Sequence, residues 1–439
     1  MRTVFNTLIE LSRRPFVRNV MAVATGAAAA QAITIAFAPV ITRLYGPESF
    51  GLLGAFMAVL NVLAPVAVLT YPIAIVLPRE DRDALAIVRL SVVLAIIVST
   101  LVAVSLYFSP VHVAQALGLQ AISGYLMLIP LAMFFAACMQ IAEQWLIRKG
   151  RFSVTARVAI LQSLLLNVSK AGIGAFHPVA SVLIGLAVAG RALHAAMLAA
   201  GAGLFSGPST SKLQVKPLVD QARIHADFPL FRAPQILLNA LSQSLPIVLL
   251  ASLFGPASAG FYTLARTVMA APSMLIGKSV SDVFYPKFTE AAHAGKPLSG
   301  LILKATAGLA VVGVFPYLLV ALLGPWLFSL VFGNEWRVAG EYGQWLACWL
   351  FFGFINRPSV AAIAALSLQK FFLGYEVASV IIRVAAMSVG FLVFESDKVA
   401  VAAFSVAGAI LNVVLISATL LACSKQGVAD RGLRQEVPG

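Results

Sequence analysis

Charged residues are scarce in this sequence. Asp, Glu, Lys and Arg make up 11% of its 439 residues, against about 25% in an average soluble domain. Hydrophobic residues make up 60%, and the mean hydropathy is +0.94. No soluble core encloses that much apolar surface, so the composition predicts an integral membrane protein. The long apolar segments also exclude an outer-membrane barrel, whose strands would alternate over about ten residues.

Reactive side chains are few as well. The three cysteines, Cys138, Cys348 and Cys423, lie in apolar runs without a CxxC partner, and the five histidines are scattered. We expect the cysteines to be small buried core residues, with no disulfide framework, metal site or cofactor. The predicted outer loops are short and hold no catalytic constellation. We therefore expect no catalytic residues and no enzymatic activity.

Apolar segments recur along the whole chain at lengths that cross about 30 Å of hydrocarbon as helices. We predict an all-α membrane protein with about twelve transmembrane helices. Their predicted ranges are 20–42, 49–77, 85–108, 122–147, 153–175, 178–204, 229–254, 259–287, 300–323, 341–367, 371–394 and 398–422.

Basic residues outside the spans fall almost entirely on one side. If both termini are cytoplasmic, the outer segments hold only Arg43, Arg337 and Lys398 among the Lys and Arg residues. This asymmetry is what the positive-inside rule produces, and it accounts for the net charge of +14 without nucleic acid as a partner.

One short turn sequence occurs twice in the chain. Residues 43–51 read RLYGPESFG and residues 252–260 read SLFGPASAG. At one constant spacing, five residues of the first copy recur in the second. They are Leu44, Gly46, Pro47, Ser49 and Gly51, matched by Leu253, Gly255, Pro256, Ser258 and Gly260. Nearby prolines follow at nearly the same spacing: Pro39, Pro65 and Pro78 are matched by Pro246, Pro272 and Pro286.

The repeat spans six predicted helices, an even number, so both halves share one orientation. Such parallel repeats are typical of transporters with two lobes around a central cavity. We predict two pseudo-symmetric six-helix lobes, over residues 1–205 and 229–423. A cytoplasmic linker (206–228) joins them, and a cytoplasmic tail (424–439) follows.

The turn itself has a local structural explanation. Gly46 and Gly255 suit a left-handed helix cap, and each following proline suits the first position of a helix. Gly51 and Gly260 would allow close helix packing. We therefore predict a tight hairpin at the outer surface rather than a binding motif.

Several basic residues fall inside predicted spans, where each costs about 2.5–3.5 kcal/mol on insertion scales. They are Lys170, Arg191, Arg232, Arg266, Lys278, Arg357 and Arg383. The carboxylates in the spans are fewer: Glu143, Asp282 and Glu376. Lys278 has the spacing to pair with Asp282, and Asp227 is a candidate partner for Arg232. The remaining cations must line water or bind an anion.

The sequence divides these cations by position. Lys170 and Arg232 lie near span ends, where snorkelling to the interface is the alternative. We predict a cationic, substrate-binding cavity from Arg266, Lys278, Arg357, Arg383 and Arg191. For Arg191 and Arg383, a purely structural role is an equal alternative to a role in this cavity. In addition, Pro358 frees a backbone carbonyl, so a broken helix is predicted at FINRPS (354–359).

Polar residues in the first, second and seventh spans have two interpretations. They line the same cavity, or they hold neighbouring helices together. The residues are Gln31, Thr34, Asn61, Thr70, Asn239, Gln243 and Ser244.

The twelve spans, the early RLYGPESFGLLG hairpin and its second copy resemble the Wzx-type polysaccharide-unit flippases of the multidrug/oligosaccharidyl-lipid/polysaccharide (MOP) exporter superfamily. The resemblance covers about residues 20–422. It implies a protein of the bacterial inner membrane that moves lipid-linked oligosaccharides outward on a polyprenyl pyrophosphate carrier. A pyrophosphate would explain a cationic cavity, since Arg and Lys suit phosphate oxygens. Membrane lipids, the polysaccharide polymerase and the export machinery are the implied partners.

Two alternatives stay open. A membrane glycan polymerase or ligase would act on the same lipid-linked substrates. A cation-coupled multidrug exporter would depend on Glu143, Asp282 or Glu376 as coupling carboxylates. Cations outnumber carboxylates in the spans, which argues against the drug exporter. The resemblance implies a flippase for O-antigen, capsule or exopolysaccharide assembly.

Overall fold

Helices account for nearly all of the residues that the structure describes. The computed structural model describes residues 15–108, 114–115, 120–203, 215–270, 298–366 and 368–435, and this part of the chain contains no strand. A helix bonds every backbone donor and acceptor within one segment, which a bilayer without water requires. The all-α prediction is confirmed.

The helices are labelled here in chain order. They are α1 (Pro15–Leu44), α2 (Pro47–Ala67), α3 (Asp81–Phe108), α4 (Ile129–Arg148), α5 (Phe152–Gly174), α6 (Ala180–Ala202), α7 (Val215–Ile224), α8 (Ala233–Leu253), α9 (256–270), α10 (Leu298–Phe332), α11 (Arg337–Ile355), α12 (Arg357–Ala365), α13 (Gln369–Phe394) and α14 (Asp397–Gln435). Two 3₁₀ helices, Tyr71–Val76 and Gln120–Leu128, precede α3 and α4. A π-helical turn, Phe228–Arg232, leads into α8.

Ten helical segments in the described residues are long and apolar enough to cross a membrane. An eleventh span is broken: α11 and α12 meet at a 43° bend, at the FINRPS sequence where a break was predicted. Of the predicted eighth span, residues 259–270 are helical and the remainder lies outside the described residues. The chain is a multi-pass membrane protein.

The second span differs from its prediction. Its α-helix ends at Ala67, ten residues before the predicted end at 77. Leu69 and Thr70 adopt left-handed backbone conformations, with φ of 46° and 61°, and the chain continues as a 3₁₀ helix. Apolar composition alone could not reveal this break, because the residues beyond it are as apolar as those before it.

Contacts divide the chain into two compact units, Met1–Gly260 and Phe261–Gly439. In the first unit, α1 packs on α5, α4 on α6, and α2 on α8. In the second, α10 packs on α11, and α14 packs on both α11 and α13. The two predicted lobes come from the internal repeat and not from contacts, so these units do not test them. The lobes stay a prediction.

A buried cluster joins several helices of the first unit. Tyr71, Ile87 and Trp145 pack there with side chains from α6. Arg148, whose side chain is 10% exposed, donates to the carbonyls of Ile75 (3.2 Å), Pro78 (2.6 Å) and Arg79 (3.3 Å) and to Asp81 (3.1 Å). One guanidinium thus fixes the end of the 3₁₀ helix to the start of α3.

Replacing Arg148 with Ala is expected to destabilise the protein by about 2 kcal/mol, because carbonyls lose charged donors. Lys149→Ala is the matched control: Lys149 also pairs with Asp81, but its side chain is 35% exposed, and exposed ion pairs contribute at most about 1 kcal/mol. Thermal unfolding in detergent measures both variants. Equal losses of stability would show that the carbonyl bonds of Arg148 contribute nothing.

Candidate functional site

The two copies of the repeated turn have different backbones but the same helix start. α2 begins at Pro47 and α9 at Pro256, as the fixed φ of proline favours. Gly255 has φ of 90°, which confirms the left-handed conformation predicted for it. The same prediction for Gly46 is wrong: its φ of −67° and ψ of 170° are extended.

The glycines of the two turns face each other. A Cβ atom added to Gly51 would lie 1.6 Å from the carbonyl oxygen of Pro256, and one added to Gly260 would lie 1.9 Å from that of Pro47. The contact is reciprocal, backbone against backbone, and no side chain can be accommodated on either partner. The close packing predicted for Gly51 and Gly260 is confirmed. The two copies of the turn contact each other.

Two basic residues of the first unit lie within membrane helices and within range of each other's charge. Lys170 on α5 and Arg191 on α6 are both half-buried, and they are near enough for their like charges to repel each other. Arg191 donates to the carbonyl of Ala187 on its own helix (3.1 Å) and contacts Met57 Sδ (3.2 Å). Neither cation forms an ion pair with any residue that the structure describes.

Burial of two neighbouring cations without a carboxylate is unfavourable unless water or an anion compensates for it. In the sequence, Lys170 lies near a predicted span end, where snorkelling is the alternative, and it is not among the predicted site residues. Sequence spacing could not have paired it with Arg191, because the two lie on different helices.

Arg383 occupies a different environment in the second unit. Its guanidinium lies over the rings of Trp349 and Phe404, at 5.7 Å from each centroid, and its Nε donates to the carbonyl of Ser379 (3.1 Å). The residue is 9% exposed. Cation–π contacts of this kind stabilise a desolvated Arg, and they favour the structural alternative for Arg383.

The other predicted cations are distributed as follows. Arg266 is half-buried on α9, near enough to Arg383 for their charges to interact. Arg357 is exposed and begins α12, directly after the bend. Lys278 and its predicted partner Asp282 lie outside the described residues. Arg232 bonds to Gln235 Oε1 (3.0 Å) and forms no ion pair with Asp227, so the predicted pairing of those two residues is wrong.

The two described coupling candidates differ in their surroundings. Glu143 on α4 is half-buried and forms no ion pair within the described part of the chain. Glu376 lies on the same helix as Arg383, close enough for attraction between the two charges. Their predicted coupling roles, like the roles of the cations, stay predictions.

Two of the predicted polar residues hold helices together. Thr34 Oγ1 lies 3.1 Å from Ser163 Oγ and accepts from Asn167 Nδ2 at 3.3 Å, joining α1 to α5. Thr70 bonds to the carbonyl of Phe228 (3.1 Å). For these residues the structure favours the interhelical interpretation over a cavity lining.

A family model described as "Polysaccharide biosynthesis protein" matches residues 40–341, which is more than half of the chain. The matched region includes both copies of the turn, Lys170 and Arg191. The chain belongs to this polysaccharide biosynthesis protein family. No curated protein matches it by sequence.

Solved structures with the same fold include transporters of the MOP superfamily, and at 12–14% identity this likeness shows the fold alone. One, described as an inward-facing multidrug resistance MATE family transporter, has a TM-score of 0.71 at 13% identity, over 90% of this chain and 94% of that one. The lipid II flippase MurJ, inward closed, has 0.69 at 12%, over 96% and 94%. A MOP transporter from Pyrococcus furiosus Vc1 (DSM3638), described as having a binding pocket of reverse polarity, has 0.59 at 14%, over 94% and 96%.

Proposed function

We propose that this member of the polysaccharide biosynthesis family is a flippase. It moves oligosaccharide units linked to a polyprenyl pyrophosphate from the inner to the outer leaflet of the bacterial inner membrane. The units serve O-antigen, capsule or exopolysaccharide assembly, and the protein catalyses no covalent step. The observation that carries the proposal is the Lys170–Arg191 pair, two neighbouring cations within membrane helices that face no carboxylate of the described chain.

A pyrophosphate fits the chemistry of this pair. It presents several anionic oxygens over a few ångströms, so it can accept charge-assisted hydrogen bonds from an ammonium and a guanidinium together. Binding relieves the repulsion between the two cations and replaces the water that burial removes. A cationic drug would add a third positive charge, which explains why the pair favours an anionic substrate.

The other basic residues in the spans are proposed to have smaller roles in binding the substrate. Arg266, Arg357 and Lys278 stay candidate ligands for anionic groups of the substrate. Arg383, held by two aromatic rings, is proposed as an anchor of the second unit with a secondary binding role. Glu143, Glu376 and Asp282 stay candidate coupling carboxylates.

Alternating access is the proposed mechanism. At Gly51 and Gly260 the two turns contact each other backbone against backbone. Such a contact forms when the two helices pack closely and breaks when they move apart. We propose that it closes the outer side while the lipid headgroup enters from the inner leaflet, and that its opening exposes the sugar outside. Both termini are proposed to be cytoplasmic, and the polymerase and export machinery take up the delivered units.

Reconstitution tests the function directly. Purified protein is placed in vesicles that carry a polyprenyl pyrophosphate-linked trisaccharide in both leaflets, and an external glycosidase reports the exposed fraction. We expect the protein to make the inner pool accessible within minutes, whereas empty vesicles protect about half of the substrate for hours. The same assay ranks alanine variants of Arg266, Arg357 and Arg383.

Two results would overturn the proposal. Lengthening of the glycan without reorientation would identify a polymerase or ligase. Absence of flipping, together with ion-driven drug transport that is lost in a Glu143→Gln or Glu376→Gln variant, would identify a drug exporter.

A further inference from the structure

The turn between α2 and the following 3₁₀ helix has an uncommon backbone. Leu69 and Thr70, neither of them glycine, are consecutive left-handed residues with φ of 46° and 61°. For a β-branched residue such as Thr70 this conformation is a clear outlier, and it persists only where the surroundings hold it. Thr70 is fully buried, at 0% exposure. The turn is therefore strained, and its neighbours must supply the compensation.

Two hydrogen bonds join this turn to a distant segment. Thr70 Oγ1 donates to the carbonyl of Phe228 at 3.1 Å, across 158 residues of sequence, and Tyr71 OH donates to the carbonyl of Ala222 at 3.1 Å, across 151 residues. Both acceptors lie between α6 and α8: Ala222 belongs to α7, and Phe228 begins the π-helical turn. The strained turn thus holds the segment that leads into α8.

The acceptor is itself an irregular segment. The carbonyl of Phe228 already accepts the N–H of Ala233, the wider bond that defines the π turn. Thr70 supplies a second donor to the same oxygen. π turns are less favourable than α-helix and are often found at functional sites. Two strained elements, the left-handed turn and the π turn, therefore meet at one hydrogen bond.

The two sides of this contact differ in how firmly they are held. Tyr71 and Ile75 pack into the buried cluster with Ile87 and Trp145, and Arg148 binds the carbonyl of Ile75. On the other side, Ile224, Leu230 and Phe231 are 65%, 65% and 75% exposed. The turn is part of the buried cluster itself, whereas the segment it binds packs against that cluster with the partly buried Ala222 and Phe228 and exposes these three apolar side chains.

We propose that Leu69–Thr70 is a strained latch. In the closed state, its two hydrogen bonds hold α7 and the π turn against the end of α2 that lies opposite Pro47. Breaking these two hydrogen bonds releases the start of α8. It also lets the left-handed backbone relax, and the strain energy released offsets part of the hydrogen-bond energy lost. Since α8 leads into the Gly255 turn, which contacts α2 at its other end, the latch and the glycine contact hold the same pair of helices at opposite ends.

Hydrogen–deuterium exchange of the full-length protein in lipid nanodiscs tests the latch, and it depends on no assumption about the substrate. Thr70→Val keeps the β-branched shape and the backbone strain but removes the hydroxyl. Tyr71→Phe removes the second donor. Each variant is expected to raise exchange of the backbone amides in 216–232 about tenfold, the effect of losing one buried hydrogen bond. Exchange in α5, at 158–168, should stay unchanged, because α5 packs on α1 and α6.

Thr70→Ser is the matched control, because it keeps the hydroxyl and removes the β-branch. We expect its exchange in 216–232 to equal or fall below that of the unmodified protein. The proposal is overturned if Thr70→Val and Tyr71→Phe both exchange like the unmodified protein in that segment. It is also overturned if Thr70→Ser exchanges as fast as Thr70→Val, since packing rather than the bond would then be responsible. Loss of flipping with unchanged exchange would count against the latch alone and not against the flippase.

Discussion

A chain carrying both Lys170→Met and Arg191→Gln is expected to deliver lipid-linked units to the outer leaflet at least about 100-fold more slowly than the unmodified protein. Each substitution removes one charge-assisted hydrogen bond to the pyrophosphate, worth about 1.5–3 kcal/mol. Together they remove the whole attraction that compensates for burial of the two cations. The measurement is the initial rate of substrate exposure in the vesicle assay, at equal protein content.

The stability of the same variant separates binding from structure. Two neighbouring like charges without a carboxylate partner destabilise the empty protein, so removing them should leave the melting temperature unchanged or raise it. Lys398→Gln is the control: Lys398 is an exposed cation paired with Glu341, and its loss should alter neither rate nor stability. If the double variant flips normally, or if its melting temperature falls with its activity, the pair is not the substrate site.

Substitution of Gly51 by Leu is expected to have the second large effect. The first side-chain atom alone would lie 1.6 Å from the carbonyl oxygen of Pro256, and both partners are backbone, so neither can rotate away. The helices must separate or the turn must unfold, at a cost of about 3 kcal/mol or more. We expect less than about 1% of normal transport and a clear fall in melting temperature, measured by unfolding in detergent and by the vesicle assay.

A second glycine variant shows whether this effect belongs to the contact. Gly185 lies within α6 with nothing within 4 Å of an added Cβ, so Gly185→Ala should leave both measurements unchanged. Gly51→Ala and Gly260→Ala disturb one reciprocal contact, so the loss in the double variant should be smaller than the sum of the single losses. Additive losses would show that the two turns act independently, contrary to the contact described.

The positions of the membrane helices could be read from the sequence because length and apolar composition are local properties. Eleven of the predicted spans are found, and most of their ends lie within a few residues of the predicted ends. The exceptions are α2 and α10. α2 ends early at the left-handed turn. α10 runs to Phe332, past the predicted end at 323, because Pro325 is accommodated within the helix. The break predicted at FINRPS is also found, before Arg357, although Pro325 shows that a proline does not by itself end a helix.

The sequence by itself also established the repeated turn, the family resemblance that accompanies it and the surplus of basic residues in the spans. Only the tertiary structure decided which residues come together: Gly51 with Pro256, Arg383 with Trp349 and Phe404, and Thr70 with Phe228. It also places Lys170 and Arg191 within range of each other's charge. The reason is physical. In a membrane helix nearly every face is apolar, so hydrophobic pattern does not specify which face turns toward which neighbour. That choice is made by close packing and by polar pairing between helices far apart in the chain.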